Sequence, residues 1–322
     1  MELSIEAQVL LETIVQALVN GISVGCLYGL MCLGLGLIFG IMRVINFAQG
    51  DFMMLGMYAA FYAFGGFSLS KILGQSIGPI VAALVAGPVI YTFGILMHRI
   101  LISRVSGLSA ATMENDGHNA QLILTLGIGL VLQNTGHIIF GSSPVSIRSP
   151  LSTTAWEIVI IRDQVSVIVN QARLISGLIA VAIAAVLSWF IFHSIIGKSA
   201  RAAANNITAS IYMGIDVDRC HRIFFGLGAG VTAIAGGLLA LYYPFQPYVG
   251  MEFIIVMYTG VVLGGLGSIA GAFWGGLIIG IIQQMSTLIL PNQLQNTATF
   301  FVFLLIIFFR PNGIFGKTTE RA

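Results

Sequence analysis

Read along its length, the chain alternates long apolar runs with short polar interruptions. The runs at about 13–40, 51–69, 76–97, 120–141, 174–196, 222–243, 269–289 and 297–309 read as spanning helices, for which roughly 20 mainly apolar residues are needed. A further apolar stretch at 252–266 is short and runs into Gly264-Gly265-Leu266-Gly267-Ser268. The expectation is an all-α polytopic membrane protein with 8–9 transmembrane helices, one transmembrane domain over 1–322.

The interruptions differ in kind. The longest, about 142–173, contains WEIVIIRDQVSVIV, two β-branched runs around Arg162–Asp163 that predict a small hairpin. Such a hairpin either caps the bundle or offers a docking surface. A second interruption, GKSARAAANNITASIYMGIDVDRC at 197–220, turns polar for about two dozen residues yet keeps alanines and a methionine at helical spacing. That pattern predicts one small amphipathic helix over about 199–214, ended by Gly214 as a C-cap and followed by Asp216 and Asp218 in a turn. A third, Arg43–Asp51, places Asn46, Gln49 and Asp51 between two apolar spans. It is expected to be a polar turn, the alternative being the inner mouth of a path. The Gly264–Ser268 break is read as a turn between short helices, with a gate as its alternative, because broken backbone inside a bilayer is tolerated only against protein or a cavity.

Composition agrees with a lipid solvent. Hydrophobic residues make up 57% of the chain, charged ones 8%, and mean hydropathy is +0.97, against about 25% charged residues in a soluble domain. A net charge of +2 excludes nucleic acid as a partner suggested by charge. Charge placement is more informative. Lys198, Arg201, Arg219 and Arg222 bracket the second interruption, Arg99 and Arg104 mark another turn, and Arg310, Lys317 and Arg321 lie near the C-terminus. By the bias of Lys and Arg toward the cytoplasm, the loop at about 197–221 and the C-terminus are expected inside, and 142–173 outside. Nine spans would put the N-terminus outside and eight would put it inside. Glu2, Glu6 and Glu12 make that terminus acidic, unlike the basic start of a signal peptide. Cys26, Cys32 and Cys220 have no metal-ligand spacing and read as unpaired structural thiols.

Of 39 glycines, many fall four apart, including Gly21, Gly25 and Gly29, and Gly267, Gly271 and Gly275. Lipid gives helices no hydrophobic reason to associate, so close backbone contact through small residues is expected to hold them. Gly21, Gly25, Gly29, Gly271 and Gly275 are therefore packing candidates, and the two similar triples hint at an internal repeat.

Enzyme chemistry finds no footing. HExxH and GxSxG are absent, and Gly316-Lys317-Thr318 mimics the end of a phosphate-binding loop but has Pro311 where that pattern requires Gly. Ion-coupled transport is poorly supported, because Asp51, Glu114, Asp116, Asp216, Asp218 and Glu252 all fall at expected helix ends, as do His137 and His193. A solute moved uphill would draw its energy from another polypeptide.

Three passages combine into a family resemblance: FGIMRVINFAQGDFMMLG at 39–56, GKSARAAANNITASIYMGIDVDR at 197–219, and VVLGGLGSIAGAFWGGLIIGII at 261–282 followed by FRPNGIFG at 309–316. In this order they resemble the Liv-type permeases of branched-chain amino acid ABC importers, whose relatives also import urea and amides. The family usually has His where this chain has Gln49. The resemblance implies a multi-pass permease subunit of the bacterial inner membrane, with no cofactor of its own. Its partners would be two ATPase subunits that carry ATP and Mg, a second identical or homologous permease, and an extracytoplasmic solute-binding protein. It also implies that the loop at 197–221 carries a coupling helix seated on an ATPase, with Arg201, Ala203, Ala204, Asn205, Ala209, Met213, Gly214 and Asp216 as candidate contacts. The alternative for that loop is a partnerless interfacial helix. Asn46, Gln49, Asp51, Gly264, Gly265, Gly267 and Ser268 are the candidate path or gate residues. A stand-alone channel or secondary carrier is the competing function, and an intramembrane enzyme the remotest.

Overall fold

The computed structural model describes residues 5–66, 71, 73–106, 116–161, 165–291, 294–310 and 313–316. Its main helices are α1 Ile5–Met42, α2 Gln49–Gly65, α3 Gly74–Met97, α4 Asp116–Phe140, α5 Gln171–His193, α6 Ile195–Asn205, α7 Ile207–Tyr212, α8 Val217–Leu239, α9 Val249–Gly264, α10 Ile269–Ser286 and α11 Gln295–Phe309. Each of the eight expected spans, and the short stretch at 252–266, corresponds to one of these helices. Among the described residues, six segments are by length and composition able to cross a bilayer: Gln8–Met42, Gly74–Val105, Ala120–Phe140, Gln171–His193, Val217–Leu239 and Ile269–Ser286. Val249–Gly264 and Gln295–Phe309 are shorter apolar helices, and α2, with 17 residues, is also short. The expected Arg162–Asp163 hairpin turn, Glu114, Lys317 and Arg321 lie outside the described residues.

The hairpin itself forms. β1 Ala155–Ile161 pairs antiparallel with β2 Val165–Asn170, Ala155 opposite Asn170 and Trp156 opposite Val169. Gln16 of α1 donates to the Ile168 carbonyl at 2.6 Å and accepts from the Ile168 N–H at 2.9 Å. One side chain thus serves both backbone groups that the edge of β2 leaves open. The hairpin defines one end of the bundle; α6 and α7 define the other.

Glycine holds the centre. α10 lies between α1 and α9. A methyl on Gly276 would meet the Gly29 backbone at 2.5 Å, and one on Gly280 would strike Gly25. On the other flank of α10, methyls on Gly271 and Gly275 would strike the backbones of Gly264 and Gly260. The two triples singled out in the sequence therefore act as packing surfaces on different helices, Gly21, Gly25 and Gly29 against α10 and Gly271 and Gly275 against α9.

The α9–α10 connection is the expected turn. Gly265 and Gly267 have φ of 103° and 93°, Leu266 is exposed, and the Ser268 hydroxyl accepts from the Gly271 N–H at 3.1 Å to cap α10. Residues 313–316 strap this turn: Ile314 N–H donates to the Leu263 carbonyl at 2.8 Å and Phe315 N–H to the Gly264 carbonyl at 3.3 Å. Two passages nearly fifty residues apart in sequence thus form one structural unit.

Candidate functional site

α2 and α9 begin inside the bundle and meet start to start. Gln49, the first residue of α2, donates from its side-chain amide to the Gly228 carbonyl at 3.1 Å and the Thr232 hydroxyl at 2.6 Å. Both partners sit at the middle of α8. Asp51, two residues further, accepts from Gln133 of α4 at 2.9 Å, beside Gly129, again mid-helix. A methyl on Gly250, in the first turn of α9, would lie 2.7 Å from the Gly50 carbonyl carbon and 3.1 Å from the Asp51 nitrogen. The chain reaches this level by doubling back twice. α1 ends at Met42 and residues 43–48 return inward to start α2; α8 ends at Leu239 and residues 240–248 return inward to start α9. At about 1.5 Å per residue, α9 with its 16 residues is about 24 Å long, less than the roughly 30 Å hydrocarbon core.

The two units are related in an inverted sense. α9 runs parallel to α1, with Cys32 near Val256, Gly36 near Val261 and Gly40 near Gly267. α2 runs parallel to α8, with Gln49 at Gly228 and Ala60 at Gly237. Sequence reasoning looked for a repeat in the glycine triples and missed the better signal. Gly50, Met57 and Tyr58 recur as Gly250, Met257 and Tyr258. Two positive helix ends facing each other repel, and each carries an acid in its first turn, Asp51 in α2 and Glu252 in α9.

This placement corrects the expectation of a polar turn at Arg43–Asp51. Asn46 and Gln49 are fully buried and Asp51 is 2% exposed. Asn46 donates to Gln49 at 3.0 Å and accepts from the Ala48 N–H at 3.2 Å, so the returning segment is held by its own side chains. Asp51 and Glu252 do fall at helix ends, in the first turns of α2 and α9, and the end that carries Asp51 is buried inside the bundle. Gly264, Gly265, Gly267 and Ser268 belong to the strapped turn at the α6–α7 end and do not join the junction.

The passage expected as one helix over 199–214 is two helices. Asn206 leaves the helical conformation (φ −151°, ψ 106°) and accepts from the Ala209 N–H at 2.9 Å, so it ends α6 and caps α7. Ser194 caps α6 through the Gly197 N–H at 2.9 Å, and Asp216 caps α8 through the Arg219 N–H at 2.9 Å. Gly214 has φ 78° and closes α7, with Ile215 N–H donating to the Ser210 carbonyl at 3.0 Å. Ala203 is fully buried with Ala200 and Gly197 against the bundle, and Arg201 lies 4.9 Å from the Phe192 ring centroid and donates to the Phe192 carbonyl at 3.1 Å. Ala204 is half-buried, whereas Asn205, Ala209, Gly214 and Asp216 are exposed. So are Ile207, Ile211, Tyr212 (85%) and Met213 (81%). Loop residues this apolar and this exposed form a knob whose base is anchored and whose tip is bare.

Among the described residues no group of His, Cys, Asp and Glu could hold a metal ion.

Comparison with known proteins identifies the design. Residues 17–309 match the family model described as branched-chain amino acid transport system / permease component. The high-affinity branched-chain amino acid transport system permease protein LivH of Salmonella typhimurium is 30% identical over 305 residues, covering 94% of this chain and 95% of the relative. BraD, the permease protein of the corresponding system of Pseudomonas aeruginosa, is 29% identical over 323 residues, with 94% and 95% covered. A probable branched-chain amino acid transport permease protein LivH of Methanocaldococcus jannaschii is 26% identical over 264 residues, with 82% and 78% covered. No solved structure matches. A multi-pass membrane protein in which two helices start from one point inside the bundle, matched to one family model over nearly its whole length, belongs to the branched-chain amino acid transport permease family and is a permease subunit of an ABC importer.

Proposed function

We propose that the chain forms the membrane path for branched-chain amino acids, or a closely related small polar solute, in an importer driven by ATP hydrolysis on two separate ATPase subunits. The hairpin end faces outward, where a solute-binding protein delivers its cargo, and the α6–α7 end with the C-terminus faces the cytoplasm. Charge supports this orientation. Arg43, Arg99, Arg104, Lys198, Arg201, Arg219, Arg222 and Arg310 lie toward the α6–α7 end, against Lys71, Arg148 and Arg173 toward the hairpin.

The observation that carries the reading is the α6–α7 knob. An amphipathic segment seats its apolar face in a groove of its partner, and Ile207, Ile211, Tyr212 and Met213 offer such a face to an ATPase. The base of α6 packs on α5, α8 and α1, and α8 holds Gln49 at the junction. A rigid-body shift of the knob would reach the start of α2 through one helix, which is how nucleotide-driven closure of the ATPases would alternate access. A second permease subunit, identical or homologous, completes the path.

Proteoliposomes holding the permeases, the ATPases and the binding protein test this function. The expected result is uptake of labelled L-leucine that requires both ATP and the binding protein. Flux through the chain alone without ATP would instead identify a channel or secondary carrier.

A further inference from the structure

Three cavities run in series from the hairpin end toward the junction. The first, about 500 Å³, opens beside Arg148 and Asn170. It shares Arg173 and Tyr242 with a second, partly open cavity of about 470 Å³, lined by α1, α5, α9, α10, α11, Leu239 at the end of α8 and the 240–248 segment. The second shares Glu252, Val256 and Asn296 with a third of about 270 Å³, whose walls are mainly apolar.

The middle cavity has two full charges of opposite sign on its walls, Arg173 from the start of α5 and Glu252 from the first turn of α9. Consecutive tyrosines each contact one of them. Tyr243 donates its hydroxyl to the Glu252 carboxylate at 3.0 Å, while the Arg173 guanidinium lies 5.4 Å from the Tyr242 ring centroid. Neither charge has an ion-pair partner among the described residues, where the pair formed is Arg222–Asp218. The buried Tyr242 hydroxyl likewise has no hydrogen-bond partner. Ionisable groups within a membrane bundle are costly and mark substrate routes, and a guanidinium with no ion-pair partner among the described residues suits a carboxylate.

We infer that this cavity binds a zwitterionic α-amino acid with an aliphatic side chain, the carboxylate toward Arg173, the ammonium toward Glu252, and the side chain in the adjoining apolar groove beside Ile255 and Phe300. The inference rests on the reading of the chain as an amino-acid permease and narrows it. A neutral amide or urea would leave both charges uncompensated, whereas a zwitterion satisfies both at once. Because Glu252 stands two residues beyond Gly250, the bound ammonium sits at the head of α9, beside the junction.

The test is equilibrium binding of radiolabelled L-leucine to the full chain in lipid nanodiscs, with three competitors. L-Leucinamide lacks the carboxylate, 4-methylpentanoate lacks the ammonium, and urea lacks charge. Saturable leucine binding is expected, with the first two competing about tenfold worse than leucine and urea not at all. Glu252→Gln is expected to weaken leucine about tenfold and leave 4-methylpentanoate unchanged. Arg173→Gln should weaken leucine similarly and leave L-leucinamide unchanged, with Arg173→Lys retaining part of the leucine affinity. A merely structural role would lower all ligands together, and that outcome overturns the site. So does leucine binding unaltered in both charge-removing variants, or no saturable binding by the unmodified chain at about 10 mM. Uptake by the complete importer separates the two levels of the argument. Leucine uptake with unaltered binding in the variants removes the site alone, and urea uptake in place of leucine removes the amino-acid reading as well.

Discussion

Gly50 and Gly250 touch backbone to backbone, so two short helices start from one point within the bundle. Nothing larger than hydrogen fits between them. Gly250→Ala would press a methyl to 2.7 Å from a carbonyl carbon that belongs to main chain and cannot rotate away. Overpacking of this kind costs about 1–3 kcal/mol. The variant is expected to lower the thermal midpoint in detergent and to reduce transport more than its loss of folded protein explains. Unchanged stability and transport would mean that the helix starts are apart.

Gly271 and Gly127 form a second contrast. A side chain at Gly271 meets the backbone of Gly264, while one at Gly127 meets nothing within 4 Å. Gly271→Leu is expected to abolish folded yield and Gly127→Leu to leave it near normal, measured by size-exclusion chromatography after extraction. Equal yields of the two variants would contradict the packing of α9 on α10.

Arg43 marks where the chain turns back after α1. Its φ is 53°, and its N–H donates to the Phe39 carbonyl at 2.9 Å, a helix ending that glycine normally serves. A side chain in the left-handed region costs about 1–2 kcal/mol. Arg43→Gly is therefore expected to raise the thermal midpoint or leave it unchanged, and a large fall would show that the guanidinium has a structural partner.

The spans were legible because lipid-facing and core-facing positions are both apolar, and a run of such residues reveals its length. Depth was not legible. Residues 43–51 resemble a solvated turn, since Asn46, Gln49 and Asp51 are polar; what meets Gln49 and Asp51 is Thr232, Gly228 and Gln133, all distant in sequence. The break between α6 and α7 had a local signal, because Asn205-Asn206 precedes Ile207-Thr208-Ala209 as an N-cap would. Alanine spacing alone argued for continuity and concealed it. Ala203 illustrates the same limit: periodicity places it on a helix face, and only the packing of α6 on the bundle tells that the face is already occupied.

That an ATPase drives this chain through the α6–α7 knob is tested most directly by Met213→Asp in the reconstituted importer. Met213 is 81% exposed and makes no bundle contact worth protecting, so the permease should keep its yield and thermal midpoint. A charge without a counter-charge in a packed contact costs a few kcal/mol, and about 3 kcal/mol corresponds to roughly a hundredfold in affinity. The measurement is binding-protein-stimulated ATP hydrolysis, alongside co-purification of the ATPase. Loss of both with an intact permease is the predicted result; full stimulated hydrolysis and leucine uptake in the variant would contradict the account.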